Sequence, residues 1–235
     1  MKPYTQVHHR YHDSVSNPKV VVTVGVGAAG CGKTYVACTA AVRLLTANKV
    51  SKVVVTRPAV CVDEEHGFLP GDIHGKMRPY VQPIYDCMLD SVSKAQLTKF
   101  IEQERLEIAP LAYMRGRTFA KALVIADEAQ NMTIAQMKML LTRVGVGSSI
   151  VITGDPSQSD LMGRKNGLSD LIDRVERMIE TRSETATETS LLTAPEARWA
   201  TQLQTASGDP LVDVVRFGAS EMLRNDAITS LLELY

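Results

Sequence analysis

The stretch KVVVTVGVGAAGCGKTYVACTAAVRLLT, residues 19–46, constrains the fold of this chain more than any other. Its first part, 19–26, is apolar almost throughout, which predicts a strand buried on both faces of a parallel sheet. A glycine-rich turn follows. The alanines with Val36, Val42, Leu44 and Leu45 then predict a helix over 33–47. Between them, Gly27 to Thr34 spell GAAGCGKT, which fits the pattern G-x4-G-K-T/S in the strand-to-helix setting that the pattern requires. Glycines let successive backbone N–H groups converge on an anion, and the helix N-terminus adds a favourable dipole, so a loop of this kind cradles polyphosphate. Gly27, Ala28, Ala29, Gly30, Cys31, Gly32, Lys33, Thr34 and Tyr35 are therefore expected to bind a nucleotide. Lys33 would reach the β- and γ-phosphates and Thr34 would bind magnesium. Cys31 puts a thiol inside the cradle. At a helix N-terminus beside Lys33 its thiolate is expected to be stabilised, so that alkylation would block nucleotide binding and bound nucleotide would protect the thiol.

Such a loop serves several phosphate chemistries, and the rest of the chain has to choose among them. ALVIAD, residues 122–127, predicts a third buried strand that ends on Asp127, with Glu128 next. Asp127 is expected to hold magnesium through water and Glu128 to polarise the attacking water. A small-molecule kinase must exclude water and has no need of a carboxylate base beside the metal aspartate, so this pair favours hydrolysis over transfer. A fourth strand, 149–153, leads into TGDPSQ, where Gln158 would touch both the γ-phosphate and the attacking water and so report the γ-phosphate.

Around these motifs, KVVVT at 52–56 predicts the second strand, 61–80 a long loop, 77–89 and 93–104 helices, 106–109 a short strand and 134–144 a helix. This alternation points to one α/β domain with a mostly parallel central sheet flanked by helices. TRSETATETS, 181–190, has no apolar periodicity and is expected to begin a mobile loop that extends to about residue 210. A last strand at 213–217 and a closing helix over 220–234 complete the expectation. Acidic and basic side chains number 26 each, so net charge neither favours nor excludes a nucleic-acid partner. Cys31, Cys38, Cys61 and Cys87 form no CxxC pair and are expected to be reduced. His8 and His12 would share one side of a helix without a carboxylate or cysteine partner, which predicts a solvated face with His9 rather than a metal site. Met132, Met137 and Met139 are expected in packing. The first residues are polar, and no apolar run approaches the roughly 18 to 20 residues that a span needs, so a soluble cytoplasmic protein without membrane contact is expected.

The three motifs, in this order, resemble the helicase superfamily 1 ATPase core. More narrowly, Thr56-Arg57-Pro58-Ala59, Gly67-Phe68-Leu69-Pro70-Gly71-Asp72, the string Ile108 to Thr118, Asp127-Glu128-Ala129-Gln130-Asn131 and Gln136-Met137-Lys138-Met139 resemble the PhoH family. The similarity is dense over 19–167 and resumes at Val214-Val215-Arg216-Phe217. It implies a single RecA-like P-loop NTPase domain over 1–235, with ATP and magnesium as ligands and hydrolysis coupled to RNA or single-stranded DNA. Gln6 resembles the family's upstream glutamine and would read adenine. Cys31 stands where the family usually has threonine, and Ala28 where it has proline. The stretch 180–210 has no counterpart, and Asn225-Asp226 departs from the pattern after Arg224.

Superfamily 1 helicases work a cleft between two RecA-like domains, and this length accommodates one. The resemblance therefore implies a homo-oligomeric ring, expected to be a hexamer, in which a neighbour's arginine completes each site. Arg117, Arg115 and Arg216 are the candidates, with Arg117 preferred. Thr56, Arg57, Pro58 and Arg115 are expected to meet a nucleic-acid strand, with Tyr80 and Tyr113 available for stacking. A second reading from another class is an ATP-controlled assembly switch that regulates a partner without moving along a strand. A nuclease is disfavoured because no second acidic cluster for two-metal chemistry is apparent.

Overall fold

The computed structural model describes residues 4–58, 73–161, 163–185, 200–204, 208 and 210–223. Along the chain come α1 (Gln6–Ser16), β1 (Val22–Gly27), α2 (Lys33–Thr46), β2 (Lys52–Arg57), α3 (Ile73–Leu89), α4 (Lys94–Glu102), β3 (Leu106–Pro110) and β4 (Ala122–Ala126). Then follow α5 (Ile134–Leu141), β5 (Ser149–Gly154), α6 (Gly167–Thr185), β6 (Ala200–Gln204) and β7 (Pro210–Phe217). The strands form one seven-stranded sheet in the order β3-β2-β4-β5-β1-β7-β6. Among the described residues, every strand pairing in this sheet is parallel except β6 against β7.

Strand side chains alternate between two separate cores, which is why the strand sequences show no polar alternation. Val53, Val55, Leu123, Ile125 and Val151 face α1, α2, α3 and α4. Val54, Val124, Ile150, Ile152 and Val214 face α5 and α6. The parallel strands β1, β4 and β5 therefore deliver their C-terminal ends to one edge. Because β5 lies between β1 and β4, the glycine loop, Asp127 and the turn after Gly154 meet there. This is the expected α/β domain.

The polar opening residues form a helix docked on this sheet rather than a solvated one. Val7, Tyr11 and Val15 bury one stripe of α1 against the sheet. Arg10 reaches Asp213 on β7 at 2.7 Å, and Ser14 Oγ lies 2.9 Å from Thr23 Oγ1 on β1. The Tyr11 ring sits so close to Gly25 that a Cβ there would lie 2.8 Å from it, so β1 needs glycine at this point.

The C-terminal third departs most from expectation. Residues 181–185, expected as loop, are the last turns of α6, and 200–204, expected in the same loop, form β6. Leu168, Leu171, Ile172, Val175 and Ile179 recur every three or four residues and hold α6 on the sheet, so its polar end extends a helix already anchored. Residues 186–199 of that loop lie outside the described residues. So do Cys61, the string Gly67 to Asp72 and Arg224 with Asn225-Asp226. The closing helix expected from residue 220 appears up to residue 223 only as a 3-10 turn, Ala219–Glu221. Among the described residues, no helix is long and apolar enough to cross a membrane.

Candidate nucleotide-binding site

The loop between β1 and α2 turns through Gly27, Gly30 and Gly32, which have φ of 154°, 91° and 76°. Side chains are disfavoured there, and at Gly27 a Cβ would lie 2.5 Å from the Phe217 carbonyl oxygen. Lys33, the first residue of α2, folds back so that its ammonium donates to the carbonyls of Gly27 (2.6 Å) and Ala28 (2.7 Å). Burial pulls its pKa below the ordinary lysine value, while Cys31, Asp155, Glu128 and Asp127 oppose that pull. The cation is thus held inside the loop it would serve.

Asp127, one residue past β4, is buried and gathers three partners. Thr34 Oγ1 donates to Oδ1 at 2.7 Å, Thr153 Oγ1 donates to the same oxygen at 2.5 Å, and Arg57 Nε donates to Oδ2 at 2.7 Å. The second arm of Arg57 also donates to Oδ2. A hydroxyl and a carboxylate in contact form the all-oxygen donor pair that suits a hard cation such as magnesium. Among the described residues, no group of three His, Cys, Asp or Glu side chains is placed to cage a metal.

Glu128 adopts the left-handed conformation, φ 55° and ψ 42°, costly for a residue with a side chain. Its carboxylate accepts from Gln130 Nε2 at 2.7 Å. The buried Gln130 also accepts from the Asp155 N–H at 3.2 Å, so one amide ties Glu128 to the turn after β5. Asp155 folds that turn by accepting from Ser157 N at 3.0 Å and Ser157 Oγ at 2.6 Å, which leaves Gln158 exposed at the cleft. Gln130→Ala should release the Glu128 carboxylate. If that carboxylate positions a reacting water, turnover falls about 5- to 10-fold, the worth of one buried hydrogen bond, with MgATP affinity unchanged. Steady-state kinetics checks this.

Of the residues expected here, Ala29, Gly30, Gly32, Lys33, Thr34, Tyr35, Asp127, Glu128 and Gln158 line one cleft of about 330 Å³. Gly154 and Asp155 of the TGDPSQ turn also line it, as do Cys87 and Leu223, which have no signal in their own sequence surroundings. Gly27 and Ala28 contribute the carbonyls that hold Lys33. Gln6 is exposed on the first turn of α1 and does not line the cleft. Cys31 corrects the expectation of a reactive thiolate. It is fully buried, its Sγ faces the Gly218 carbonyl at 3.8 Å, and burial pushes its pKa up despite the nearby Lys33.

The expected strand contacts are also redistributed. Thr56 and Pro58 are buried, and Arg57 is committed to Asp127, so none of the three offers a free surface. Arg115 is exposed with no side-chain partner among the described residues, and Tyr113 is 51% exposed nearby. The side chain of Tyr80 lies outside the described residues. Arg117, the preferred neighbour-reaching arginine, is occupied within the chain. It grips Glu107 with both arms at 2.6 and 2.8 Å and lies over the Phe119 ring. That fork, with Lys52 at 2.7 Å, lowers the Glu107 pKa to about 2. Arg216 is bound to Glu176 and donates to Thr201 Oγ1 at 2.7 Å. His8, expected on a solvated face, is fully buried, whereas His9 is exposed. Met132 and Met137 are buried and Met139 packs against the same core, as expected. Cys31, Cys38 and Cys87 are free thiols.

Residues 1–203 match the protein family described as PhoH-like protein. A PhoH-like protein of Bacillus subtilis is 53% identical over 146 residues, 62% of this chain and 46% of its own length. Protein PhoH of Escherichia coli K12 is 38% identical over 212 residues, 89% of this chain and 51% of its own. The chain thus spans about half the length of the curated relatives it matches. Among solved structures, the large terminase of a thermophilic bacteriophage superposes with a TM-score of 0.42 and 14% identity, over 65% of this chain and 39% of that one.

Proposed function

The chain belongs to the PhoH-like family, and from that premise we propose that it is a magnesium-dependent ATPase coupling hydrolysis to RNA or single-stranded DNA, working as a homo-oligomeric ring. The observation that carries the hydrolytic part is the meeting of Lys33, the Thr34–Asp127 pair and the strained Glu128 in one cleft. The glycine loop and Lys33 would bind the phosphates, and Thr34 with Asp127 would hold magnesium. When bound, that ion supplies positive charge against the phosphate oxygens. Glu128, kept in place by Gln130, would accept the proton of the attacking water as it reaches the γ-phosphorus. Gln158, at the tip of the turn after β5, would orient that water and register the γ-phosphate. Phosphate leaves with ADP, and the proton passes from Glu128 to solvent.

The nucleic-acid and ring parts rest on the family and on what the surface offers. Of the three arginines expected to reach a neighbour, Arg117 and Arg216 hold carboxylates of their own chain. Arg115 is exposed without a partner among the described residues, beside Tyr113. Of these three it is therefore the one available to a strand backbone or to an adjoining subunit's phosphates. An assembly switch that binds ATP and regulates a partner uses the same cleft but has no need of a polymer. ATPase rates with and without RNA and single-stranded DNA, on material of known mass in solution, separate the two. Stimulation that falls steeply as salt rises supports the proposal, whereas a rate indifferent to both polymers leaves the switch.

A further inference from the structure

His8 is a buried imidazole that no step above uses. It lies on α1, 23 residues before the carbonyl it touches, with Nε2 3.0 Å from the Cys31 oxygen. Its other nitrogen, Nδ1, accepts from the Thr5 backbone N–H at 3.1 Å and sits 2.8 Å from Thr5 Oγ1. A backbone N–H only donates, so Nδ1 must carry a lone pair. The ring proton is then on Nε2 and is donated to Cys31. Tyr4 stacks on the ring at 5.3 Å and 17°, and Phe217 meets it edge-on at 5.4 Å. The ring cannot turn without leaving both partners.

We propose that His8 is a positioning residue that clasps the phosphate loop to α1 only while its imidazole is neutral, making nucleotide binding pH-sensitive. The inference rests on the nucleotide-binding reading of the loop. Cys31 lies between the glycines that shape the cradle, so its carbonyl fixes which way the neighbouring N–H groups point. Protonation puts a hydrogen on Nδ1 against the Thr5 N–H, two donors face each other, and the ring must shift. Few charges oppose this arrangement. Burial favours the neutral ring and His9 adds to it, whereas the Cys31 hydrogen bond and Glu221, after β7, work the other way. Glu221 is already engaged by Gly218 N at 2.7 Å and Ser220 Oγ at 2.8 Å. The net effect holds His8 below its ordinary pKa, and Cys31, whose thiol burial pushes up, keeps its proton. The unfolded chain takes up this proton below about pH 6.5, the folded chain only lower still, so the clasp is fully favoured above that value and lost as pH falls through the folded pKa.

The test is equilibrium MgATP binding by the full chain, its His8→Ala variant and its His8→Gln variant at about pH 7.5 and about pH 5.5. Affinity of the unaltered chain should fall on acidification, by up to about 5- to 10-fold where the pH lies below the folded pKa, the full worth of one buried hydrogen bond. His8→Ala should be weaker by that factor at both values. His8→Gln, a neutral side chain with both donor and acceptor, should bind well at both. A second readout needs no nucleotide: a loosened loop exposes Cys31, so its alkylation by iodoacetamide, located by mass spectrometry, should rise several-fold in His8→Ala while Cys38 in the core stays unchanged. The same pH loss in all three proteins, or equal Cys31 alkylation in His8→Ala and the unaltered chain, overturns the clasp. If the unaltered chain binds no MgATP at either pH, the nucleotide reading fails and the alkylation rates decide the clasp alone.

Discussion

Glu128→Gln is expected to stop ATP turnover while leaving MgATP binding intact. The substitution keeps the size of the side chain and removes its ability to take a proton. Gln130 donates to Glu128 Oε2 at 2.7 Å and has an acceptor oxygen of its own, so an amide at position 128 stays tethered in the cleft. What is lost is proton acceptance from the attacking water, a contribution of about 100- to 10,000-fold for a positioned base. Single-turnover phosphate release and equilibrium nucleotide binding, measured on the same preparation, separate the two effects. A variant that hydrolyses at the normal rate would reduce Glu128 to an acidic cap on β4, and its left-handed backbone would then lack the function proposed for it.

Asp127→Ala should be worse, because it removes chemistry and support together. The carboxylate satisfies Thr34, Thr153 and Arg57 at once. Without it, a mostly buried guanidinium and two hydroxyls lose their partner, at a cost of about 3 kcal/mol in folding, and magnesium-dependent nucleotide binding goes with it. Pairing the change with Arg57→Met tests the cause. The double variant should recover much of the unfolding midpoint, since removing both charges is far less costly than stranding one, yet should remain inactive. An unfolding midpoint unmoved by Asp127→Ala would mean that the ion pair with Arg57 contributes nothing to the fold.

Much of the framework was legible because it is written locally. GAAGCGKT and ALVIAD carry their strand, turn and helix signals within a few residues, and their place at strand ends follows from chain direction. The corrections concern partners. Arg57 was expected to meet a strand of nucleic acid and instead binds Asp127, 70 residues away. Gln130 stood in a recognised string without a role, because its partner Asp155 lies 25 residues on, across to β5. Cys31 was expected to be reactive from its neighbours in sequence, but the turn after β7 and His8 of α1 pack over it. Residues 181–185 lacked apolar periodicity because they end a helix anchored upstream by Leu168, Ile172 and Val175.

By itself the sequence determined the class of fold and the loop, the lysine, the threonine and the two acids that a nucleotide would need. Those features depend on period and spacing, which are properties of contiguous residues. The tertiary structure decided which side chains keep them in register and which arginines are already spent. Strand order and helix docking set those pairings: β5 between β1 and β4 carries Thr153 to Asp127, and α1 against β7 carries His8 to Cys31. Contacts between residues far apart in the chain exist only once those neighbours have been chosen.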